Sequence, residues 1–349
     1  LVAGTGDVDS AQPAHRLWRL GRLVAADAAL TAAFDAGLDD IAARTHDSAL
    51  QPELDAFLRD LGHRGNDEYE LATPAWAMDP RPVYAAIDRL RHVPQDRDPE
   101  VTARRLRDDA DAALAEAQEL VARPLRTILR RTVLAARLGA AARERAKDIL
   151  VRENLGARLV LHELARRAAA RGGPADARLA FSVTIDELPA FLAAPGDFAD
   201  VIAERTERLR YLDDRIPPPW FDGRIPDPSG WPLRADAGAD APVPGATLHG
   251  IAVNGGTASG RARVIVDPGD PRGLEPGEVL VCAITDPSWT PLFLSASAVV
   301  CDSGAMQSHA AIVARELGIP AVLSVPGVTA VADGTLLHVD GNAGTVRVG

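Results

Sequence analysis

A histidine near the end of the chain lies in a short run of residues that could carry covalent chemistry. The pattern from His309 onward predicts a short helix with Ser308 as its N-cap residue. Gly318 ends this helix, and Pro320 prevents its continuation. Because the first turn of a helix presents unpaired N–H groups and a partial positive charge, an imidazole there could hold a phosphoryl group with its oxygens already neutralised. A capping serine followed by a buried structural histidine is the alternative interpretation.

A second candidate is a basic stretch in the first half of the chain. Arg143 and Lys147 are four residues apart, so they share one face of a predicted helix, and Arg152 follows them. Two cations on one face could bind phosphate oxygens, stabilise charge on a transferring phosphoryl group, or help an acceptor hydroxyl to lose its proton. A basic stripe exposed to solvent would have the same spacing.

A third candidate is a polar segment around position 65. A neutral imidazole of His63 beside Arg64 could act as a general base toward a substrate hydroxyl, and Glu68 or Glu70 could orient that substrate. His63, Arg64 and Glu68 are therefore weaker candidates for substrate binding, together with Arg152. The simpler alternatives are a loop or capping role for His63 and ion pairs between the glutamates and nearby cations.

The elements that must position His309 form a compact β/α domain of about a hundred residues. Apolar and β-branched runs predict an opening hairpin, two buried strands and three closing strands. The hairpin comprises 250–252 and 259–266, the buried strands are 277–282 and 298–301, and the closing strands are 321–323, 335–341 and 344–348.

The chain before position 217 has a different sequence pattern: apolar residues recur at steps of three and four, and few segments resemble strands. This pattern predicts a bent helical bundle rather than a coiled coil, because no strict heptad persists. Between positions 99 and 171, Pro124 separates two long helices. The further predicted helices are 14–34, 52–61, 82–91, 140–171, 184–193 and 198–214.

A stretch rich in proline and glycine joins the two parts. Its prolines include 217–219, 226, 228, 232, 242 and 244, with glycines at 223, 230, 238 and 245. Such a composition builds no regular element, and it suits a tether that lets a small domain travel between two sites, although an ordinary linker looks the same. The sequence thus predicts three parts: a helical domain over 1–216, a linker over 217–247, and a β/α domain over 248–349.

Composition sets the outer limits on function. The chain has 349 residues, 47% of them hydrophobic, and a net charge of −11, which disfavours nucleic acid or an anionic membrane as the main partner. Its two cysteines, Cys282 and Cys301, lie in predicted buried strands, as thiols do in a reducing compartment, and they are too few for a metal site. No run approaches about 18 apolar residues and no secretory signal begins the chain, so we expect a cytoplasmic protein.

The run from Gly304 to Ala321 resembles the signature of the phosphohistidine, or swivelling, domain of the PEP-utilising enzymes, and the resemblance extends over 249–349. It implies that His309 is the phosphorylated histidine and that Gly304, Ser308 and Arg315 support the phosphate or the motif. It also implies a turn and a short helix over 285–293, before the strand 298–301. Relatives usually have two glycines at this turn, whereas here Gly304 is followed by Ala305. An alanine would strain the turn if the backbone needed a positive φ there.

The helical part is similar to the acceptor-binding domain of rifampin phosphotransferases. The similarity lies in the run Arg143-Glu-x-x-Lys147, in a later stretch over 182–188, and in a segment over 62–71. It implies that Arg143 and Lys147 belong to the phosphate site. The order of a helical domain followed by a histidine domain is also the one seen in that family.

The resemblance implies a dikinase-type phosphotransferase, in which His309 takes the β-phosphoryl group of ATP, with release of AMP and phosphate, and passes it to a hydroxyl of a small molecule. The product could be a stable ester or a hydroxyl activated for elimination. No P-loop, ATP-grasp domain or TIM barrel is visible, and the chain begins with Leu1, so we expect an incomplete enzyme. ATP and Mg²⁺ would bind an ATP-grasp domain or subunit, with no cofactor on this chain. The alternative is a non-catalytic carrier or scaffold that acts with a separate ATP-binding or phosphoenolpyruvate-binding partner.

Overall fold

A computed structural model describes residues 12–218, 221–234, 241–268 and 273–349. The chain divides into two compact units. The first unit comprises Leu1–Glu68, Pro74–Arg152 and Pro242–Gly349, and the second comprises Tyr69–Thr73 and Glu153–Ala241. The three-part division of the sequence at positions 216 and 248 stays a prediction about domain boundaries.

The helices of the first unit come early in the chain. They are α1 (Gln12–Ala26), α2 (Ala28–Asp35), α3 (Ile41–Thr45), α4 (Leu50–Leu61), α5 (Arg81–Arg91), α6 (Pro99–Leu120) and α7 (Arg123–Ala169), of which α7 continues into the second unit after Arg152. The single helix predicted over 14–34 is wrong, because Asp27 divides it. The Asp27 side chain accepts hydrogen bonds from the N–H groups of Ala29 and Leu30 and starts a new helix there.

The two long helices α6 and α7 meet where Pro124 was predicted to separate them. Val121 adopts an extended backbone with ψ 152° at the end of α6, and Pro124 lies in the first turn of α7, where its missing N–H is tolerated. The separate helix predicted from position 140 is instead part of one continuous helix. Gly139 lies inside it, since a single glycine costs only about 1 kcal/mol in a run of strong helix formers.

The second unit contains the end of α7, two further helices and several 3-10 turns. The helices are α8 (Leu188–Ala193) and α9 (Ala199–Asp213). The helix predicted over 184–193 begins only at Leu188, because Thr184 donates from both its N–H and its hydroxyl to Glu187 in a preceding turn. A small core of Ala168, Phe191 and Ile202 holds the unit together.

The proline-rich stretch contains one 3-10 turn, Pro228–Gly230, and a bridge that pairs Arg215 with Leu233. The first strand of the sheet begins at its end, at Thr247. Pro219 and Gly238 lie outside the described residues.

Among the described residues, eight strands form one mixed sheet in the first unit. They are β1 (Thr247–His249), β2 (Ile251–Asn254), β3 (Thr257–Val264), β4 (Val279–Cys282), β5 (Ala298–Cys301), β6 (Ala321–Leu323), β7 (Leu336–Asp340) and β8 (Thr345–Val348). The spatial order is β1-β8-β7-β3-β4-β5-β6-β2. The helices α10 (Thr290–Ser295) and α11 (His309–Leu317) connect β4 to β5 and β5 to β6.

The opening hairpin predicted from the sequence is wrong. Strand β2 pairs antiparallel with β6, whereas β3 pairs parallel with β4 and antiparallel with β7. The turn between β2 and β3 passes through Gly256, whose φ of 108° suits glycine. The two strands therefore separate at this turn, and each adds to a different part of the sheet instead of pairing with its neighbour in sequence.

The central strands β4 and β5 are completely buried, and their side chains belong to two hydrophobic cores. Val279, Val281 and Val300 face a core shared with β7 and β8. The alternate residues, including Leu280 and Cys282, face a second core that contains α10, α11 and apolar residues of α1, α4 and α5. Because successive side chains of a strand point to opposite faces, one short strand binds both layers together. Helices and sheet thus share one core in the first unit.

The two cysteines lie opposite each other at the ends of β4 and β5. The Sγ atoms of Cys282 and Cys301 are 3.5 Å apart, and both side chains are free buried thiols. The hydrogen bond to Cys301, together with burial, raises the pKa of Cys282. Of the helices described, none has the length and apolar composition that crossing a lipid bilayer demands.

Candidate active site around His309

The predicted helix from His309 is present as α11. Ser308 occupies the N-cap position with an extended backbone, and Gly318 ends the helix with a φ of 67°. The hydroxyl of Ser308 makes no capping hydrogen bond, contrary to the expectation for an N-cap serine. Its Oγ is buried and has no partner among the described residues, so the hydroxyl does not occupy the N–H groups of the first turn.

The His309 imidazole is held from both sides by threonine hydroxyls. Thr285 Oγ1 lies 3.1 Å from Nδ1, and Thr290 Oγ1 lies 3.2 Å from Nε2. The ring of Phe293 approaches at 77° with a centroid distance of 6.1 Å. The three contacts fix the plane of the imidazole, and all three come from the segment between β4 and β5.

The environment of His309 keeps its imidazole neutral. Burial lowers its pKa to about 3, and the positive charges of Arg64 and Lys147 act in the same direction. Part of the residue nevertheless reaches solvent. At neutral pH the ring therefore carries no charge, and one nitrogen has a lone pair that can attack an electrophile.

The turn before His309 is packed closely and is unstrained at the alanine. A Cβ atom at Gly304 would lie 2.9 Å from Cδ1 of Leu323, which explains glycine there. Ala305 is exposed and has a negative φ, so its side chain adds no strain. The hydroxyl of Ser324 donates to the Gly304 carbonyl at 2.5 Å and fixes the start of the turn.

Arg315 supports the same turn from within α11. Its Nε donates to the carbonyl of Val253 at 2.9 Å, and its Nη1 donates to the carbonyl of Met306 at 2.6 Å. The guanidinium thus joins α11, the end of β2 and the turn before His309. These contacts support the motif through the backbone.

The basic residues of α7 lie at the same site. Arg143 donates from Nη2 to the carbonyl of Gln307 at 3.2 Å and from Nη1 to its side chain at 3.4 Å. Glu144 is buried between the two cations, 3.0 Å from Arg143 and 3.3 Å from Lys147. The structure therefore brings Arg143, Lys147 and His309 together although they are far apart in sequence.

A buried charge network adjoins this cluster. Arg64 Nη2 donates to Asp148 at 2.7 Å and Arg64 Nη1 contacts both oxygens of Glu68 at 3.2 and 3.3 Å. Asp148 also lies 2.8 Å from His63 Nε2 and 2.8 Å from Arg152 Nε. His63, Arg64, Glu68 and Asp148 are buried, and Arg152 is the exposed edge of the network.

The two carboxylates of this network have opposite pKa shifts. Burial raises the pKa of Glu68 to about 7, despite the nearby Arg64 guanidinium. Burial also acts to raise the pKa of Asp148, but the hydrogen bonds from His63 and Arg152 and the charge of Arg64 outweigh it and place that pKa well below its usual range. Asp148 is therefore ionised at neutral pH, whereas Glu68 is partly protonated.

Thr285, Thr290 and Asp148 were not identified from the sequence. Asp148 follows Lys147 directly and precedes Arg152 by four residues, a spacing that could have indicated an ion pair. The threonines lie in a segment recognised only as a turn and short helix. Within the described residues, no group of three or more His, Cys, Asp or Glu side chains is placed to hold a metal ion.

Two family models match the chain. The mobile domain of PEP-utilising enzymes matches residues 274–344, which include His309 and its threonine partners. The fourth domain of rifampicin phosphotransferase matches residues 1–144, which include Arg64 and Arg143.

Several relatives match over most of the chain, including the following three. An uncharacterised protein of Mycobacterium tuberculosis is 35% identical over 291 residues, which are 82% of this chain and 30% of that protein. A prodigiosin synthesizing transferase of Serratia marcescens is 34% identical over 309 residues, 85% of this chain and 33% of the relative. A rifampicin phosphotransferase of Streptomyces sviceus is 28% identical over 323 residues, 89% of this chain and 36% of the relative.

The chain spans about a third of the length of these relatives. The crystal structure of Thermococcus kodakaraensis aconitase X aligns with 30% of this chain and 98% of its own at 20% identity and a TM-score of 0.23, too low to bear on the fold. The family evidence comes from the sequence matches, and it agrees with the resemblance found in the motifs. The chain therefore contains a mobile domain of the PEP-utilising enzymes and a region of the rifampicin phosphotransferase fourth-domain family.

Proposed function

We propose that His309 carries a phosphoryl group derived from ATP and transfers it to a hydroxyl of a small molecule. The observation that carries this proposal is a neutral imidazole at the start of α11, held by two hydroxyls and flanked by the charges of Arg64 and Lys147. A neutral ring can act as a nucleophile, and the fixed cations favour the anionic group that it would then carry.

The proposed transfer takes three displacements at phosphorus. In the first, a ring nitrogen of His309 attacks the β-phosphorus of ATP, an N–P bond forms, and the bond from the β-phosphorus to the oxygen shared with the α-phosphate breaks, so that AMP leaves. In the second, water attacks the γ-phosphorus, the bond from the γ-phosphorus to the bridging oxygen breaks, and phosphate leaves, so that His309 keeps the β-phosphoryl group. In the third, the acceptor oxygen attacks the remaining phosphorus, the N–P bond breaks, and the hydroxyl proton passes to solvent or to a nearby carboxylate. The family resemblance implies the first two displacements.

Arg143 and Lys147 are proposed to act at the transferring phosphoryl group. Both lie beside the histidine turn, and Glu144 holds them in place. Since phosphoryl transfer depends mainly on positioning and on neutralising charge, two cations here would lower the barrier of the transfer from His309 to the acceptor. His63, Arg64, Glu68 and Arg152 form the neighbouring wall, where a substrate hydroxyl could be oriented.

The ATP that loads His309 is proposed to bind, with Mg²⁺, to an ATP-grasp domain that belongs to the longer protein or to a separate subunit. The chain spans only about a third of the matched relatives, which leaves room for such a domain. One relative is named for rifampicin phosphorylation and another for prodigiosin synthesis. The first name favours a stable phosphate ester as the product, whereas the second says only that its protein takes part in a synthesis.

A labelling experiment tests the carrier role. The chain is incubated with an ATP-grasp partner and ATP labelled in the β-phosphoryl group, and phosphate that is stable in base and labile in acid is measured. We expect the label in the native chain and none in His309→Ala. No label in the presence of a competent partner would overturn the proposal.

The same experiment separates the phosphorylation of His309 (loading) from the transfer of the phosphoryl group to the acceptor (delivery). Lys147→Ala should leave the labelling of His309 intact and slow transfer to an added acceptor, whereas Arg145→Ala, on an exposed part of the same helix, serves as the matched control. A label that persists with every acceptor tested would favour the alternative role as a non-catalytic carrier or scaffold. Loss of both steps in Lys147→Ala would show that this lysine serves loading instead.

A further inference from the structure

Two buried polar atoms at the His309 site have no hydrogen-bond partner among the described residues. They are Nε of Arg64 and Oγ of Ser308. Arg64 is only 3% exposed, so water does not readily replace a missing acceptor. Leaving a buried donor unpaired destabilises a protein, so such an atom at a candidate site indicates a ligand that can accept its hydrogen bond.

The Arg64 guanidinium cannot turn away to satisfy its Nε. Nη2 is bound to Asp148 and Nη1 to Glu68, one carboxylate at each terminal nitrogen. Asp148 is itself held by His63 and Arg152, which resist any movement of the carboxylate. Two carboxyl groups therefore fix the planar guanidinium of Arg64, and its Nε–H is the donor that remains without an acceptor.

Both residues with an orphaned atom belong to the His309 site. Ser308 directly precedes His309 in the chain. Arg64 donates to Asp148, which follows Lys147 directly, and the charges of Arg64 and Lys147 both act on the imidazole. A phosphoryl group on the ring would bring three anionic oxygens into this site, where they could accept hydrogen bonds from such donors.

We propose that Arg64 is a phosphoryl-binding residue, whose Nε–H donates, together with the hydroxyl of Ser308, to the oxygens of the phosphorylated His309. Asp148 and Glu68 are its positioning residues, because each holds one terminal nitrogen of the guanidinium. Arg64 keeps its proton throughout and takes part in no bond cleavage. This inference rests on the proposed function of His309.

The test loads His309 without any ATP-binding partner. Potassium phosphoramidate is the probe: a ring nitrogen attacks its phosphorus, the P–N bond of the reagent breaks, and the nitrogen leaves as ammonia. The pKa of the phosphoryl group on His309 is then followed by ³¹P NMR. In Arg64→Gln we expect this pKa to rise by about 1–3 units, since a nearby cation favours the dianion by that amount.

Arg22→Gln is the matched control. Arg22 also has a buried Nε without a partner, but its charge is not among those acting on His309. Arg22→Gln should therefore leave the pKa of the phosphoryl group on His309 unchanged. Ser308→Ala should raise that pKa by a smaller amount than Arg64→Gln, because it removes a neutral donor. Asp148→Asn should raise it as well, because the guanidinium is no longer held.

Thermal unfolding shows which variants fold. If Arg64→Gln does not fold, Arg64→Lys takes its place. In Arg64→Lys we expect a smaller rise of the phosphoryl pKa, because the ammonium retains the charge and only the Nε–H donor is lost. A phosphoryl pKa that stays at the native value in both the arginine variant and Ser308→Ala would overturn this inference alone. Failure of phosphoramidate to label His309 in the native chain would overturn the proposed function as well.

Discussion

The His309 site has two sides that differ in charge. The sheet side is the segment between β4 and β5 with the turn before α11, and the helical side is the Arg64 network with the basic residues of α7. On the sheet side, the imidazole is neutral and is surrounded by threonine hydroxyls and an aromatic ring. On the helical side, the side chains are mostly ionisable, and Arg64, Asp148 and Glu68 are buried away from water. The sheet side thus holds a neutral ring among uncharged groups, whereas the helical side holds a guanidinium between two buried carboxyl groups.

The helical side should be the more fragile of the two. Asp148→Ala would leave Arg64 buried with an unbalanced charge, and we expect a loss of about 3–5 kcal/mol in the free energy of unfolding. Asp111→Ala breaks an ion pair with Arg137 in which the aspartate is 71% exposed, and it should lose only about 0–1 kcal/mol. Urea unfolding measures both. Equal losses would mean that burial does not distinguish the two ion pairs.

The free energy of unfolding should depend on pH because of Glu68, on the helical side of the site. Because the folded chain raises the pKa of Glu68 from 4.5 to about 7, folding binds a proton between these values, and stability should fall as pH rises through this window. The charged groups that act on Glu68 are Arg64, Asp286 and Asp148.

Glu68→Gln should remove this fall, which amounts to about 3 kcal/mol at 1.36 kcal/mol per pKa unit. The measurement is the difference between native and variant unfolding free energies at several pH values. A difference that stays constant from pH 4 to pH 8 would contradict a raised pKa for Glu68.

The smallest effects are expected in the turn on the sheet side. Gly304→Ala places a Cβ atom 2.9 Å from Leu323 and should destabilise the chain by about 1–3 kcal/mol. Ala305→Gly, one residue further, changes an exposed position with negative φ and should lie within about 0.5 kcal/mol of the native value. Thermal unfolding compares the two variants. A larger loss of stability in Ala305→Gly than in Gly304→Ala would contradict a close contact between position 304 and Leu323.

The sheet side could be predicted from sequence much further than the helical side. The strands β4 and β5 and the helix α11 have local patterns, since apolar runs and a glycine stop are visible within ten residues. The pairing of Arg64 and His63 with Asp148 joins residues more than 80 positions apart, and no local pattern encodes it. The predicted hairpin of β2 and β3 was wrong for the same reason, because both strands find distant partners.

The core shared by helices and sheet also bears on how the histidine domain could travel. In the first unit, α10 contacts α1 and α5, and α11 contacts α6, with Phe293 and Ala311 fully buried in the shared core. Departure of the domain would expose this apolar face to water, at about 1.5–3 kcal/mol for each large side chain. If His309 carries a phosphoryl group as proposed, a donor domain that receives it must offer an apolar surface of its own. The rate of phosphoryl delivery would then depend on how well two docking surfaces compete for the same face.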